Sequence, residues 1–273
     1  MATLVGAARS DIGLNRENNE DSYFFDDSIG LYLVADGMGG HAAGEVASSL
    51  VAQTIADYVK HFQNKPIEDP RRYNFFNQDY SPRTNTILQA IHLANRIVYN
   101  DAQNNKEYEN MGSTLALIMA EGENLTVAHV GDSRIFRCRD GQLTRLTVDH
   151  RFSEDPQFNG IIDYDSTIVS SFGHTLTRAM GIKPEVMPDI TETSCQEGDI
   201  YLICSDGLTD MVSEEMIEQV LTLDEDMDHK AQHLIELALA AGGLDNVTAV
   251  LAAAIQPRGK VLKKFLNKIV KGN

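Results

Sequence analysis

Aspartates recur at the ends of apolar, strand-like runs, and this pattern constrains the fold more than any other feature of the chain. Asp36 closes the run Leu31 to Ala35 and opens Asp36-Gly37-Met38-Gly39-Gly40-His41. Asp132 follows Leu125 to Gly131, Asp206 follows Ile200 to Ser205, and Asp245 stands two residues before the run Val247 to Leu251. Buried strands end together at one side of a sheet, so segments distant in sequence can deliver their carboxylates to one place. Such crowding is repulsive unless cations intervene, and the pattern therefore predicts a divalent-metal site. All the candidate ligands are hard oxygens without a histidine or cysteine cluster, which points to magnesium or manganese.

Strand-like runs cover Leu31 to Ala35, Thr114 to Ala120, Leu125 to Val130, Arg134 to Cys138, Asp199 to Cys204 and Val247 to Ile255. The second to fourth positions of this order leave no room for crossovers: Thr114 to Cys138 holds three strands joined by short turns, which must be antiparallel. Helical periodicity marks Ala43 to Phe62, Thr86 to Asp101, Ser213 to Val220 and Asp228 to Ala241, the last stopped by Gly242-Gly243. The expected class is α+β, with antiparallel sheet in two layers flanked by helices.

Several chemistries are excluded. Gly37-x-Gly39-x-x-Ala42 loosely fits a dinucleotide fingerprint, but Asp36 would face the pyrophosphate and the meander is wrong for that fold. Asp224-x-Asp226-x-Asp228 begins like a calcium loop, yet His229 and Ile235 replace the required glycine and glutamate, leaving a solvated acidic linker. Neither a phosphate-binding Gly-x-x-x-x-Gly-Lys-Ser/Thr loop nor a Gly-x-Ser-x-Gly elbow occurs. Three scattered cysteines argue against disulfides and zinc, and a net charge of −17 argues against nucleic-acid binding. No run approaches a membrane span, and Met1 to Arg9 lacks the pattern of a secretory leader, so a cytoplasmic location is expected.

Three segments stand apart from a 1–256 body. Residues 63–85, with Pro66, Pro70 and Pro82, read as an insertion between the first two helices. Residues 151–174 are mixed and polar. The tail 257–273 is basic, with apolar Val261, Leu262, Phe265, Leu266, Ile269 and Val270 on one helical face. It suits an anionic membrane surface, giving a peripheral location, or a partner, or the acidic body of its own chain.

Seven motifs in order then bring a family into view. They are Arg16 with Glu17-Asn18-Asn19-Glu20-Asp21, Val34 to Gly40, Gly112-Ser113-Thr114, Val130 to Arg134, Leu176 to Gly181, Ser205 to Asp210, and Asp245-Asn246-Val247-Thr248. On these the chain resembles the bacterial metal-dependent serine/threonine protein phosphatases of the 2C type (PPM family), over about Ala8 to Ile255. The resemblance implies a four-layer α-β-β-α sandwich with two central antiparallel sheets. It implies two Mn2+ or Mg2+ ions bridged by Asp36, with the Gly37 carbonyl on one and Asp206 and Asp245 on the other. Glu20 and Asp21 would lie behind them. Asp132, with Asp206 and Asp210, matches a third-metal position of bacterial members, and Arg16 matches the phosphate-binding arginine. Animal members place a histidine directly after the Asp-Gly, where this chain has Met38; His41 stands nearby. Residues 151–174 match the flap beside the active site, without its usual helical pattern.

The activity implied is hydrolysis of phosphoserine and phosphothreonine on phosphorylated proteins, opposing a Ser/Thr kinase. The alternative is a non-catalytic module that binds phosphoproteins and regulates through them; the complete set of core acids favours catalysis.

Overall fold

The computed structural model describes residues 3–39, 42–63, 75–154 and 175–255. Expectations for His41, for residues 64–74 of the 63–85 segment, for most of the 151–174 segment and for the tail 257–273 lie outside those residues.

Eleven strands among the described residues form two antiparallel sheets. The first has the order β1 (Thr3–Asp11), β11 (Val247–Ile255), β10 (Ile200–Cys204), β7 (Arg134–Arg139), β8 (Gln142–Arg145). The second has the order β2 (Asp21–Asp26), β3 (Leu31–Met38), β5 (Leu115–Glu121), β6 (Asn124–Val130), β9 (Asp189–Ser194), with β4 (Gly112–Ser113) pairing the end of β3. Each sheet carries a helix pair. Helices α1 (Ala42–Phe62) and α2 (Pro82–Asn104) cover the second sheet; α3 (Glu214–Thr222) and α4 (Met227–Ala240) cover the first.

The layering follows from period-two side-chain alternation in strands that are apolar on both faces. Leu31, Leu33 and Ala35 of β3 face α1 and α2, whereas Tyr32 and Val34 between them face the other sheet. In β11, Val247, Ala249 and Leu251 face α3 and α4, and Val250, Ala252 and Ala254 face inward. Three apolar layers result, and each fully buried Leu, Ile or Val contributes about 1.5–3 kcal/mol. This is the four-layer α-β-β-α sandwich that the resemblance implies.

All six strands read from the sequence are present, and all are interior. Of the five strands not anticipated, β1, β2, β8 and β9 are the four sheet edges, and β4 is a two-residue pairing at the end of β3. β8 and β9 are polar and half exposed, as in the Asp189–Ser194 strand DITETS, while β1 and β2 mix apolar with polar residues, so none of the four makes a continuous apolar run. A correction also falls on the insertion: α2 takes its last four residues. Ser81 caps the helix by accepting the Thr84 N–H, and Pro82 fills the first turn, where its missing N–H costs nothing. The acidic linker is partly structural, since Asp226 caps α4 by accepting the His229 N–H at 2.9 Å.

Candidate active site

Pairing fixes which strand ends meet. In the second sheet, β3 and β6 run the same way because each is antiparallel to β5, so Asp36 and Asp132 come out at one edge. In the first, β10 ends where β11 begins, which brings Asp206 and Asp245 to the same side. Asp21, first residue of β2, sits directly opposite Asp36 in register. Both sheets thus deliver acids to one bay, and a cavity of about 890 Å3 there is lined by Arg16, Glu20, Asp36, Gly37, Asp132, Asp206 and Asp245.

Local hydrogen bonds hold each acid in place. The Asp36 N–H donates to Thr114 Oγ1 at 2.9 Å and its carbonyl accepts the Thr114 N–H at 2.8 Å. Asp21 Oδ2 accepts from Ser205 Oγ at 2.7 Å and Thr248 Oγ1 at 2.6 Å, which ties the second sheet to the first beneath the bay. Asn246 clamps the loop that carries Arg16 and Glu20. Its Nδ2 donates to the carbonyls of Ile12 and Asn18 at 2.8 and 2.9 Å, while its Oδ1 accepts the Glu20 N–H at 2.8 Å.

The approach of β3 to the start of α1 needs two glycines. A Cβ on Gly37 would lie 2.1 Å from the Gly44 carbonyl oxygen, and one on Gly44 would lie 2.1 Å from Glu20 Oε2. At Gly37 the obstacle is backbone and no side chain fits, whereas at Gly44 the Glu20 carboxylate would have to move, so the Gly37 residue of the Asp-Gly motif is a packing requirement as well as a candidate carbonyl ligand.

Electrostatics mark the bay. Burial, and then repulsion from Asp21 and Asp206, pushes the Asp36 carboxyl well above its ordinary value. Burial raises Asp206 to about 7, with Asp132 and Asp210 adding to it, and raises Asp21 to about 6 against the bonds from Thr248 and Ser205. Asp132 is raised too, chiefly by burial, although Arg151 opposes the shift. Asp21 Oδ1 is buried without a hydrogen-bond partner.

Two arginines pair with acids of the bay. Arg16 Nη2 pairs with Asp245 Oδ2 at 2.6 Å. Arg151 was not singled out by the sequence, where it falls at the head of the flap segment. Its Nε lies 2.6 Å from Asp132 Oδ2 and its Nη2 2.8 Å from Asp206 Oδ2, with Asp210 Oδ2 at 3.7 Å. An arginine directly after the apolar-flanked Asp149-His150 pair is the only sequence signal for it.

A second cluster lies behind Gly131. His129, His150 and Asp189 bring ligand atoms within 4.8 Å of one another. Its imidazoles already have roles: His150 Nδ1 accepts the Gly131 N–H at 3.1 Å, and His129 Nε2 meets the Val148 carbonyl at 2.8 Å. His150 Nε2 faces Asp189 at 3.3 Å, and His150 and Arg178 hold the Asp189 carboxyl below the usual carboxylate range. The trio supports the Gly131-Asp132 turn from behind.

A four-layer sandwich opening at one end onto an oxygen-only bay of carboxylates defines a protein built around hard cations. The chain belongs to the protein phosphatase 2C family, whose family model matches residues 14–241. It is 39% identical over 252 residues to the serine/threonine protein phosphatase PstP of Mycobacterium tuberculosis, covering 91% of this chain and 45% of that protein, so it spans less than half of that relative's length. It is 32% identical over 251 residues to the serine/threonine phosphatase stp of Listeria monocytogenes, covering 89% of this chain and 93% of the relative. The crystal structure of the PstP catalytic domain in complex with two manganese ions superposes with a TM-score of 0.76 at 38% identity, covering 94% of this chain and all of that one.

Proposed function

We propose that the chain hydrolyses phosphoserine and phosphothreonine on proteins, opposing a bacterial Ser/Thr kinase in the cytoplasm. The observation that carries this reading is the meeting of Asp36, Asp206 and Asp245, from two sheets, in one cavity where burial and mutual repulsion hold the Asp36 and Asp206 carboxyls in need of positive charge. The donor set fits Mn2+ or Mg2+, being all oxygen and including a buried carboxylate oxygen, Asp21 Oδ1, without a partner. Asp36, the Gly37 carbonyl, Asp206 and Asp245 are the groups that would hold two ions, with Glu20 and Asp21 behind them. The family's third position falls on Asp132, Asp206 and Asp210. Such a pair supplies a hydroxide nucleophile near neutral pH and offsets charge on the phosphoryl oxygens.

The chain's own groups then set geometry. Thr114 keeps the Asp36 backbone fixed through two hydrogen bonds, and the Ser205 and Thr248 hydroxyls keep Asp21 fixed. Arg16 is half exposed at the mouth of the cavity, where its fork-shaped guanidinium suits two oxygens of a phosphoryl group. The catalytic unit is residues 1–256, with 151–174 as flap and 63–81 as the insertion ahead of α2. The basic tail 257–273 docks on a partner or an anionic membrane surface.

The test is phosphate release from a phosphothreonine peptide with Mn2+, with chelator, and with Asp36→Asn. Turnover that requires the ion and disappears in the variant supports the phosphatase. A folded, manganese-loaded chain that binds the peptide without releasing phosphate would identify a phosphoprotein-binding module instead.

A further inference from the structure

We propose that Arg151 is a resident cation in this site: its guanidinium takes the place between Asp132 and Asp206 that a divalent ion would otherwise fill, so the chain works with two exchangeable ions and one fixed charge. The inference rests on the cation-centre reading above and adds to it the count of ions and the residue that sets it.

The geometry is specific. Arg151 places Nε 2.6 Å from Asp132 Oδ2 and Nη2 2.8 Å from Asp206 Oδ2, and the same Nη2 is 3.7 Å from Asp210 Oδ2. One planar group therefore faces three carboxylates, two at charge-assisted hydrogen-bond distance. An ion between Asp132 and Asp206 would stand against the Arg151 positive charge, which already lies at contact distance from an oxygen of each. The two occupants exclude each other.

Arg151 is also not placed to swing away. Its side chain is 7% exposed. Its backbone is held by one two-bonded bridge and by the turn behind it. An isolated antiparallel bridge joins Arg151 to Leu176, the Phe152 N–H donates to the Thr175 carbonyl at 3.0 Å, and the preceding His150 carbonyl accepts the Thr177 N–H at 2.7 Å. His150 in turn donates its own N–H to the Gly131 carbonyl at 2.9 Å, which locks Arg151 to the turn carrying Asp132. Asp149, on the other side, is fully buried and takes Arg134 through Nη2 at 2.7 Å together with Arg145, so it does not compete for Arg151. A guanidinium stays protonated at any working pH, unlike a lysine or histidine that burial could neutralise. It differs from a divalent ion in carrying half the charge, in offering no open coordination position, and in being insensitive to chelators.

The experiment counts Mn2+ ions on the full chain by native mass spectrometry and by metal analysis after equilibrium dialysis, with folding checked by circular dichroism. Wild type is expected to hold two ions. Arg151→Ser, which empties the place and leaves its carboxylates, is expected to hold three, and Asp132→Ala added to it should return the count to two. Arg151→Lys, keeping the charge, should stay at two. If Arg151→Ser does not fold, the single variant Asp132→Asn still decides: an Asp132 engaged by arginine can be changed with the count held at two, whereas an Asp132 that binds an ion loses one. Three ions on wild type, or an unchanged count in folded Arg151→Ser, would overturn the role of Arg151 while leaving the cation centre intact. No bound ion on wild type would overturn both.

Discussion

Two arginines reach the acidic bay from opposite corners, and they are held in opposite ways. At the Asp245 corner Arg16 comes from a loop, with its side chain 52% exposed and one close partner. At the Asp132 corner Arg151 is 7% exposed and faces three carboxylates. The first is a charge that can let go of its aspartate to meet an incoming anion. The second is part of the wall. On the roles proposed above, the same residue type serves binding at one corner and charge balance at the other, and burial decides which.

The largest expected effect lies between the corners. Asp36→Asn removes the charge that both sheets converge on and is expected to lower phosphate release by about 10^3-fold or more, as for loss of a group on which metal-assisted hydrolysis depends. Residual turnover within tenfold of wild type would break the assignment. Next, Arg151→Ala leaves buried acids unpaired, and truncating one side of a buried ion pair costs about 3–5 kcal/mol. The loss should appear in urea unfolding with chelator present and shrink when Mn2+ is added, since the ion replaces the charge; a loss equal in both conditions would mean that Arg151 acts through packing alone.

A pH series sharpens the contrast. The raised carboxyls, Asp21 at about 6 and Asp206 at about 7, bind protons in the folded chain at pH values where an unfolded aspartate, at about 3.9, does not. Without cations their contribution to stability is full near pH 4 and is lost as the pH rises through 6 to 7. Ions bind the deprotonated forms, so the gap in Tm between Mn2+ and chelator should widen from pH 5 to pH 8. A constant gap would show that the acids are not the ligands.

The smallest effect belongs to the exposed corner. Arg16→Ala should leave stability within about 1 kcal/mol, the range of exposed ion pairs. It should raise KM for a phosphopeptide by roughly tenfold, the loss of one charge-assisted contact of about 1.4 kcal/mol. Equal damage to stability from Arg16→Ala and Arg151→Ala would erase the distinction between the two corners.

What could be read in the sequence follows the same divide between interior and rim. Strands apolar on both faces, such as Leu31 to Ala35 and Val247 to Ile255, announce themselves as continuous runs. The edge strands β1, β2, β8 and β9 form because a neighbour offers hydrogen bonds, and only pairing reveals them; Thr3–Asp11 lies along β11 through nine residue pairs. The acids at strand ends were legible because each follows or precedes an interior run. Arg151 was not, because it belongs to no strand or helix and reaches the bay through a single bridge to Leu176. Residues 82–85 were misjudged since proline reads as a breaker, although in a first turn behind a capping serine it starts a helix.

The turns at the opposite end of the sheets carry a practical consequence. The hairpins at Gly122 and Gly141, and the bend at Gly198, lie a full strand away from the carboxylates, about 20 Å at ~3.3 Å per residue. Space is open around Gly198, where a Cβ would meet nothing within 4 Å, but its φ of +89° strains any L side chain, so an attachment belongs beside these turn glycines and not on them. The turns are therefore handles: a dye, a surface tether or an inserted peptide attached there would leave the chemistry end free, and the strands between would serve as a ruler of known length.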